Sequence, residues 1–71
     1  MPDIKAIAGN VKNMRNQMNE TQEEFAEHCG ISTETLGLIE RSSVIPSLPT
    51  VLKIMSYTKC SFSDLLNTNA R

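Results

Sequence analysis

One glycine divides the most constrained stretch of this 71-residue sequence. In TQEEFAEHCGISTETLGLIER, residues 21–41, two short apolar periodicities of helical spacing meet at Gly30. Thr21 is an N-cap for the first, and Glu24 three residues on completes a capping box. Phe25, Ala26 and Cys29 then share a face, with Ala26 small enough to let a second helix cross closely. Gly30 supplies the left-handed backbone that ends the helix, and Ile31 turns into the core. Ser32 caps the second helix, whose inward stripe is Leu36, Ile39 and Glu40. Its outward stripe is Glu34, Gly37, Leu38 and Arg41, at i, i+3, i+4 and i+7.

A chain of this length builds one small domain, so residues 1–71 are read as a single unit. A core of that size supplies about 3–5 kcal/mol, which calls for tight helix packing or dimerisation. No apolar run reaches the length of a membrane span. The start, MPDIKAIAGN, has neither the basic residues nor the apolar run of a signal peptide. Cys29 and Cys60 are the two cysteines, without metal-ligand spacing or a histidine cluster. The expectation is a cytoplasmic protein with reduced core thiols, no membrane association and no metal.

Apolar spacing elsewhere predicts three more helices and no strands, hence an all-α fold. Ile4, Ile7, Val11, Met14 and Met18 recur at steps of three and four, giving a first helix over 4–18 with Asp3 as its cap. The next two cover 22–28 and 33–41. SSVIPS is a loop leading to Ser47, the cap of a fourth helix over 48–57. Pro49 is tolerated in its first turn, and its buried stripe is read as Leu48, Val51, Leu52 and Met55. Ser61 and Asp64 cap a last short helix carrying Phe62, Leu65 and Leu66, and NTNAR is a frayed tail. The apolar surplus of Phe62, Leu65 and Leu66, with Tyr57 nearby, fits a dimer contact and equally packing under the first helix.

Charge argues against simple attraction to a polyanion. The net charge is −1, and residues 20–40 carry Glu20, Glu23, Glu24, Glu27, Glu34 and Glu40 with no Lys or Arg. Arg15 and Glu40 both point inward on their helices. Because unpaired buried charge is so costly, they are read as an ion pair joining the first and third helices; the alternative is two snorkelling side chains. His28 and Cys29 adjoin, but neighbours on a helix point about 100° apart and no third group orients them, so they form no nucleophilic pair. His28 is read as a residue favoured by the helix dipole. No constellation for catalysis or for a cofactor is found.

With the helices in this order, residues 11–66 resemble a Cro/repressor-type helix-turn-helix domain of the XRE family. Arg15, TQEEFAEHCGIS, LIER, PSLPTVLKI and SFSDLL carry the resemblance at the correct gaps. It implies a five-helix, lambda-repressor-like domain, usually a homodimer. Its helix-turn-helix spans 22–41 and sets helix 33–41 in the major groove of operator DNA. It also implies that Gln22 and the start of the second helix, capped by Thr21, meet phosphate. Thr33, Glu34, Gly37 and Leu38 fall where bases are read, with Ser32 and Thr35 flanking. Arg41, Ser42 and Ser43 fall where the backbone is gripped.

The chain departs from the family in three places. SSVI follows the glutamate–arginine pair where glycine and basic residues are usual. The reading helix offers no amide or guanidinium fork for a base. Lys59 replaces a glycine after the fourth helix, putting a side chain in a left-handed turn. Gln22 also has a reading as a solvated first-turn residue. Glu34 can accept from a cytosine amine or simply complement the helix dipole. Leu38 can meet a thymine methyl or be half-covered by Val44 and Ile45. The expected function is a sequence-specific DNA-binding transcriptional regulator, not an enzyme. The acidic stretch and the apolar Leu38, Val44 and Ile45 support an alternative, a protein-interaction module of antitoxin-like or partner-binding type on the same scaffold.

Overall fold

Four hydroxyl caps set where the helices of this chain begin. A computed structural model describes residues 4–66, and in it Thr21, Ser32, Ser47 and Ser61 each accept a backbone N–H three residues on. At Thr21 and Ser61 the box closes, with Glu24 and Asp64 accepting the cap's own N–H. The helices among the described residues are α1 (Ile4–Gln17), α2 (Gln22–Cys29), α3 (Thr33–Glu40), α4 (Leu48–Thr58) and α5 (Phe62–Leu66), with no strand. The proposed cap Asp3 and the tail NTNAR lie outside the described residues.

The exits are left-handed turns, and only one uses glycine. Asn19, Gly30, Ser42 and Lys59 have φ of 56°, 84°, 61° and 64°. After α2, the Gly30 N–H reaches the Glu27 carbonyl at 3.1 Å and the Ile31 N–H the Ala26 carbonyl at 2.9 Å. That is the Schellman pattern, which satisfies carbonyls the helix leaves open. The same pair of bonds recurs after α1, at Asn19 and Glu20, and after α3, at Ser42 and Ser43. The left-handed Lys59 anticipated from the sequence is present, and Asn19 and Ser42 share its conformation.

The core forms where the apolar faces converge. Val11, Phe25, Leu36, Ile39, Ile54 and Leu65 are the largest fully buried side chains. α1 packs on α3 and α5, and α2 packs on α3 and α4. Ala26, fully buried, sits where a bulkier residue would hold α2 away from its neighbours. The Asn10 amide donates to the Leu65 carbonyl at 2.6 Å, tying α1 to α5.

Leu48, Leu52 and Met18, expected in the core, lie outside it, and Phe62, for which a dimer contact and packing were equally open, is exposed. In α4 the inward row is Val51 and Ile54, with Met55 half-buried, whereas Leu48 is 66% exposed and Leu52 also faces out. Leu48 and Leu52 are one turn apart and form a separate row beside the buried one. Met18 lies beyond the last turn of α1 and is exposed. Phe62, the first residue of α5, is 51% exposed, while Leu65 three positions on fills the core.

Candidate nucleic-acid interface

The arrangement begins with a buried charge. Arg15 of α1 and Glu40 of α3 pair side-on, Nε to Oε2 at 2.8 Å and Nη2 to Oε1 at 3.0 Å. Their side chains are only 13% and 4% exposed. The hydrogen bonds to Glu40 hold the Arg15 guanidinium above its ordinary pKa, against the opposing pull of burial. Arg15 also donates from Nη1 to the Glu20 carbonyl at 3.0 Å, fastening the α1–α2 connection. The expected ion pair is therefore present, and it has a third member. Gln22 Nε2 donates to Glu40 Oε1 at 3.1 Å, so Gln22 is no free first-turn residue. A carboxylate only accepts, so the amide nitrogen must face inward and Oε1 outward.

The face of α3 opposite this network is the candidate reading surface. Thr33 and Glu34 are exposed at its N-terminal end, and Thr35 and Leu38 are half-buried. Val44, in the loop that follows, is half-buried against the core, and Ile45 is exposed. Gly37 lies on the outward stripe, as expected, and is buried there. A Cβ built on it would lie 3.2 Å from Arg41 Nη1 and 3.9 Å from Gln22 Oε1. Side chains on a helix lean toward its N-terminus, so Arg41 folds back over the turn that Gly37 leaves bare. Arg41 was expected on this stripe, as a grip on the DNA backbone; that its guanidinium lies back over Gly37 was not, and glycine four residues before an arginine is the signal that could have shown it.

The caps are internally committed. The Ser32 hydroxyl accepts from the Thr35 N–H at 3.0 Å and donates to Thr35 Oγ1 at 2.8 Å. Thr21 is closed into its box with Glu24. Ser43 is exposed, but its backbone N–H is turned back to the Leu38 carbonyl at 2.9 Å. Beside the elbow, Lys53 of α4 places Nζ 3.4 Å from the Gly30 carbonyl. Arg41 and Lys53 therefore bring positive charge to α3 from outside the acidic stretch, one on its outward face and one at its N-terminal approach. Folding assembles a charge pattern that residue order conceals.

A second polar cluster braces the back of α2. Tyr57 of α4 donates to Glu20 Oε2 at 2.5 Å, and His28 Nδ1 lies 3.2 Å from that oxygen and 3.0 Å from the Tyr57 hydroxyl. With the phenolic hydrogen committed to Glu20, Nδ1 must carry a hydrogen to meet either oxygen. These bonds hold Glu20 below the usual carboxylate range, chiefly through Tyr57, and push Tyr57 up to about 12. Phe25 meets the Tyr57 ring edge-on at 5.6 Å. His28 is thus one member of a tie between α2, α4 and the α1–α2 connection. Burial pushes the Cys29 thiol up to about 11, and both Cys29 and Cys60 are free thiols. Among the described residues no His, Cys, Asp and Glu group is suited to a metal ion, and no helix is long and apolar enough to cross a membrane.

Comparison with known proteins places this geometry. None of the curated proteins matches the chain. Among solved structures, an HTH_3 family transcriptional regulator from Vibrio cholerae superposes with a TM-score of 0.80 at 34% identity. The match takes in 87% of this chain and 35% of that one, so the chain spans about a third of that regulator's length. The restriction-modification controller protein C.AhdI from Aeromonas hydrophila gives a TM-score of 0.81 at 22% identity, over 89% of this chain and 96% of the other. The hypothetical transcription factor NHTF from Neisseria gives 0.81 at 24% identity, over 93% and 80%. At those two identities the likeness is one of fold. The helix-turn-helix family model HTH_3 matches residues 11–65, from within α1 into α5. The chain belongs to the XRE-type helix-turn-helix family.

Proposed function

We propose that this protein is a sequence-specific DNA-binding transcriptional regulator that inserts α3 into the major groove of an operator. The observation that carries the proposal is the outward face of α3. Thr33 and Glu34 are exposed there, Leu38 is half-exposed, and the Arg41 guanidinium lies on it. The Arg15–Glu40–Gln22 network fixes that face relative to α1 and α2. The likeness to the transcriptional regulator from Vibrio cholerae supports the same reading. In this pose Thr33, Glu34, Thr35 and Leu38 meet base edges, and Thr21, Ser32 and Ser43 border the phosphates. Arg41 supplies positive charge. The protein acts by occupying a promoter and performs no chemistry.

Two copies act together. The longest extent of one copy is 28 Å, whereas successive major-groove half-sites lie about 34 Å apart. The apolar groove lined by Ile7, Ile45, Leu48, Val51, Phe62 and Leu66 is the surface a second copy covers, and it accounts for the exposure of Phe62 and Leu48. A net charge of −1 implies few phosphate contacts and hence a shallow dependence of affinity on salt. Fluorescence anisotropy with the DNA upstream of its own coding region, at low and moderate salt, tests the proposal. Saturable, sequence-dependent binding is expected; none at low salt contradicts it. The exposed Glu23, Glu24 and Glu27 favour a second reading, a module that binds a basic partner protein through this scaffold, and that reading gains if DNA binding is absent.

A further inference from the structure

Arg41 is the C-cap of α3, where the family resemblance implies a side chain reaching out to the DNA backbone. Its guanidinium does not reach out here. It lies back over Gly37, with Nη1 3.2 Å and Cζ 4.0 Å from the point a Cβ would occupy. Gln22 Oε1 is 3.9 Å from that point. The guanidinium has no hydrogen-bond or ion-pair partner among the described residues. Gln22 is held with its nitrogen toward Glu40, so only its carbonyl oxygen faces the same space. A fork of donors and a lone acceptor therefore share one patch, on the stripe that also carries Glu34 and Leu38.

The major-groove edge of a G·C pair has the complementary pattern. Guanine offers two acceptors, N7 and O6, and cytosine offers an amino donor beside them. An A·T pair offers no adjacent acceptors to a fork on one base, and the inward-turned Gln22 nitrogen cannot make the two-handed amide bond to adenine. We propose that Arg41, laid on the helix by Gly37 and flanked by Gln22, reads a guanine in each half-site instead of clamping a phosphate. The assignment rests on the proposed DNA-binding function. Gly37 is then a specificity residue that touches no base: its missing side chain is what lets the guanidinium lie on the reading face.

Selection of duplexes from a random pool by the purified protein, followed by anisotropy titrations, tests this. The wild type is expected to select one fixed G·C pair per half-site and to lose on the order of 10-fold affinity when that pair becomes A·T. Arg41→Lys keeps the charge but not the fork, and Gly37→Ala keeps the arginine but displaces it. Both are expected to bind the original and the A·T site within about 2-fold of each other, well inside the discrimination a bidentate pair confers. Neither should melt at a lower temperature than the wild type, since Arg41 is exposed and the added Cβ meets only the flexible ends of Arg41 and Gln22. Full discrimination retained by Arg41→Lys assigns the residue to a phosphate and overturns the proposal while leaving DNA binding in place. A wild type that selects no sequence overturns both.

Discussion

Arg15, Gln22 and Glu40 show how a few side chains turn a buried charge into a fixed orientation for α3. Glu40 accepts two bonds from Arg15 and one from Gln22. Arg15→Met would leave a carboxylate almost sealed from water with one neutral donor, at a cost of about 3 kcal/mol. The exposed Lys12→Met should stay within about 0.5 kcal/mol of the wild type. Urea denaturation of the two variants checks this, and equal midpoints would contradict it. The pair was legible because both residues point inward on predicted helices. Gln22 as the third member was not, because its partner lies 18 residues away on another helix. Gly37 was placed on its stripe, but the guanidinium that covers it was not foreseen. Periodicity gives the direction of a side chain, not what a neighbour four residues on does with the space left by its absence.

At the scale of elements, the elbow is the feature the sequence announced most clearly. Capping chemistry is local, so Thr21, Ser32, Ser47 and Ser61 could be assigned from residue type and spacing, and each caps as expected. Gly30 has φ of 84°, with nothing within 4 Å of a built Cβ. Gly30→Ala therefore meets no steric clash, and its penalty is the backbone's alone, about 1–2 kcal/mol. A denaturation midpoint unchanged by Gly30→Ala would show that the elbow needs no left-handed residue. The exits at Asn19 and Ser42 were less legible, since neither residue demands a positive φ and tertiary packing sets it. The α4 register was misread for a related reason. Leu48, Val51, Leu52 and Met55 make an acceptable stripe by spacing, but the position of α2 selects Val51 and Ile54.

Over the whole molecule, stability follows from groups on other elements than the outward face of α3. Cys29 and Tyr57 have folded pKa values raised to about 11 and about 12, above ordinary values of 9.0 and 10.0. Burial is the main cause for Cys29, and the hydrogen bond to Glu20 is the main cause for Tyr57. Both are neutral when protonated, so their stabilisation is complete below the unfolded values and is lost as pH rises through the folded ones. Thermal melts should hold level to about pH 9 and fall between about 9 and 12, with Tyr57→Phe removing the upper part of the fall. A level melting temperature to pH 12 would contradict this. The exposed groove around Phe62 makes a further prediction. Phe62→Glu should sediment as a monomer and lose most affinity for a two-half-site operator while keeping its affinity for one half-site; an unchanged dimer would place the interface elsewhere. The sequence supplied the apolar surplus behind this prediction, but which side chains stay outside depends on packing of all the helices at once. The most direct test of the account is a titration of the isotopically labelled protein with its selected duplex, followed by backbone and side-chain NMR shifts. The largest changes should fall on Thr33, Glu34, Leu38, the Gln22 amide and the Arg41 guanidinium; changes confined to Ile45, Leu48 and Phe62, or to the acidic face of α2, would contradict it.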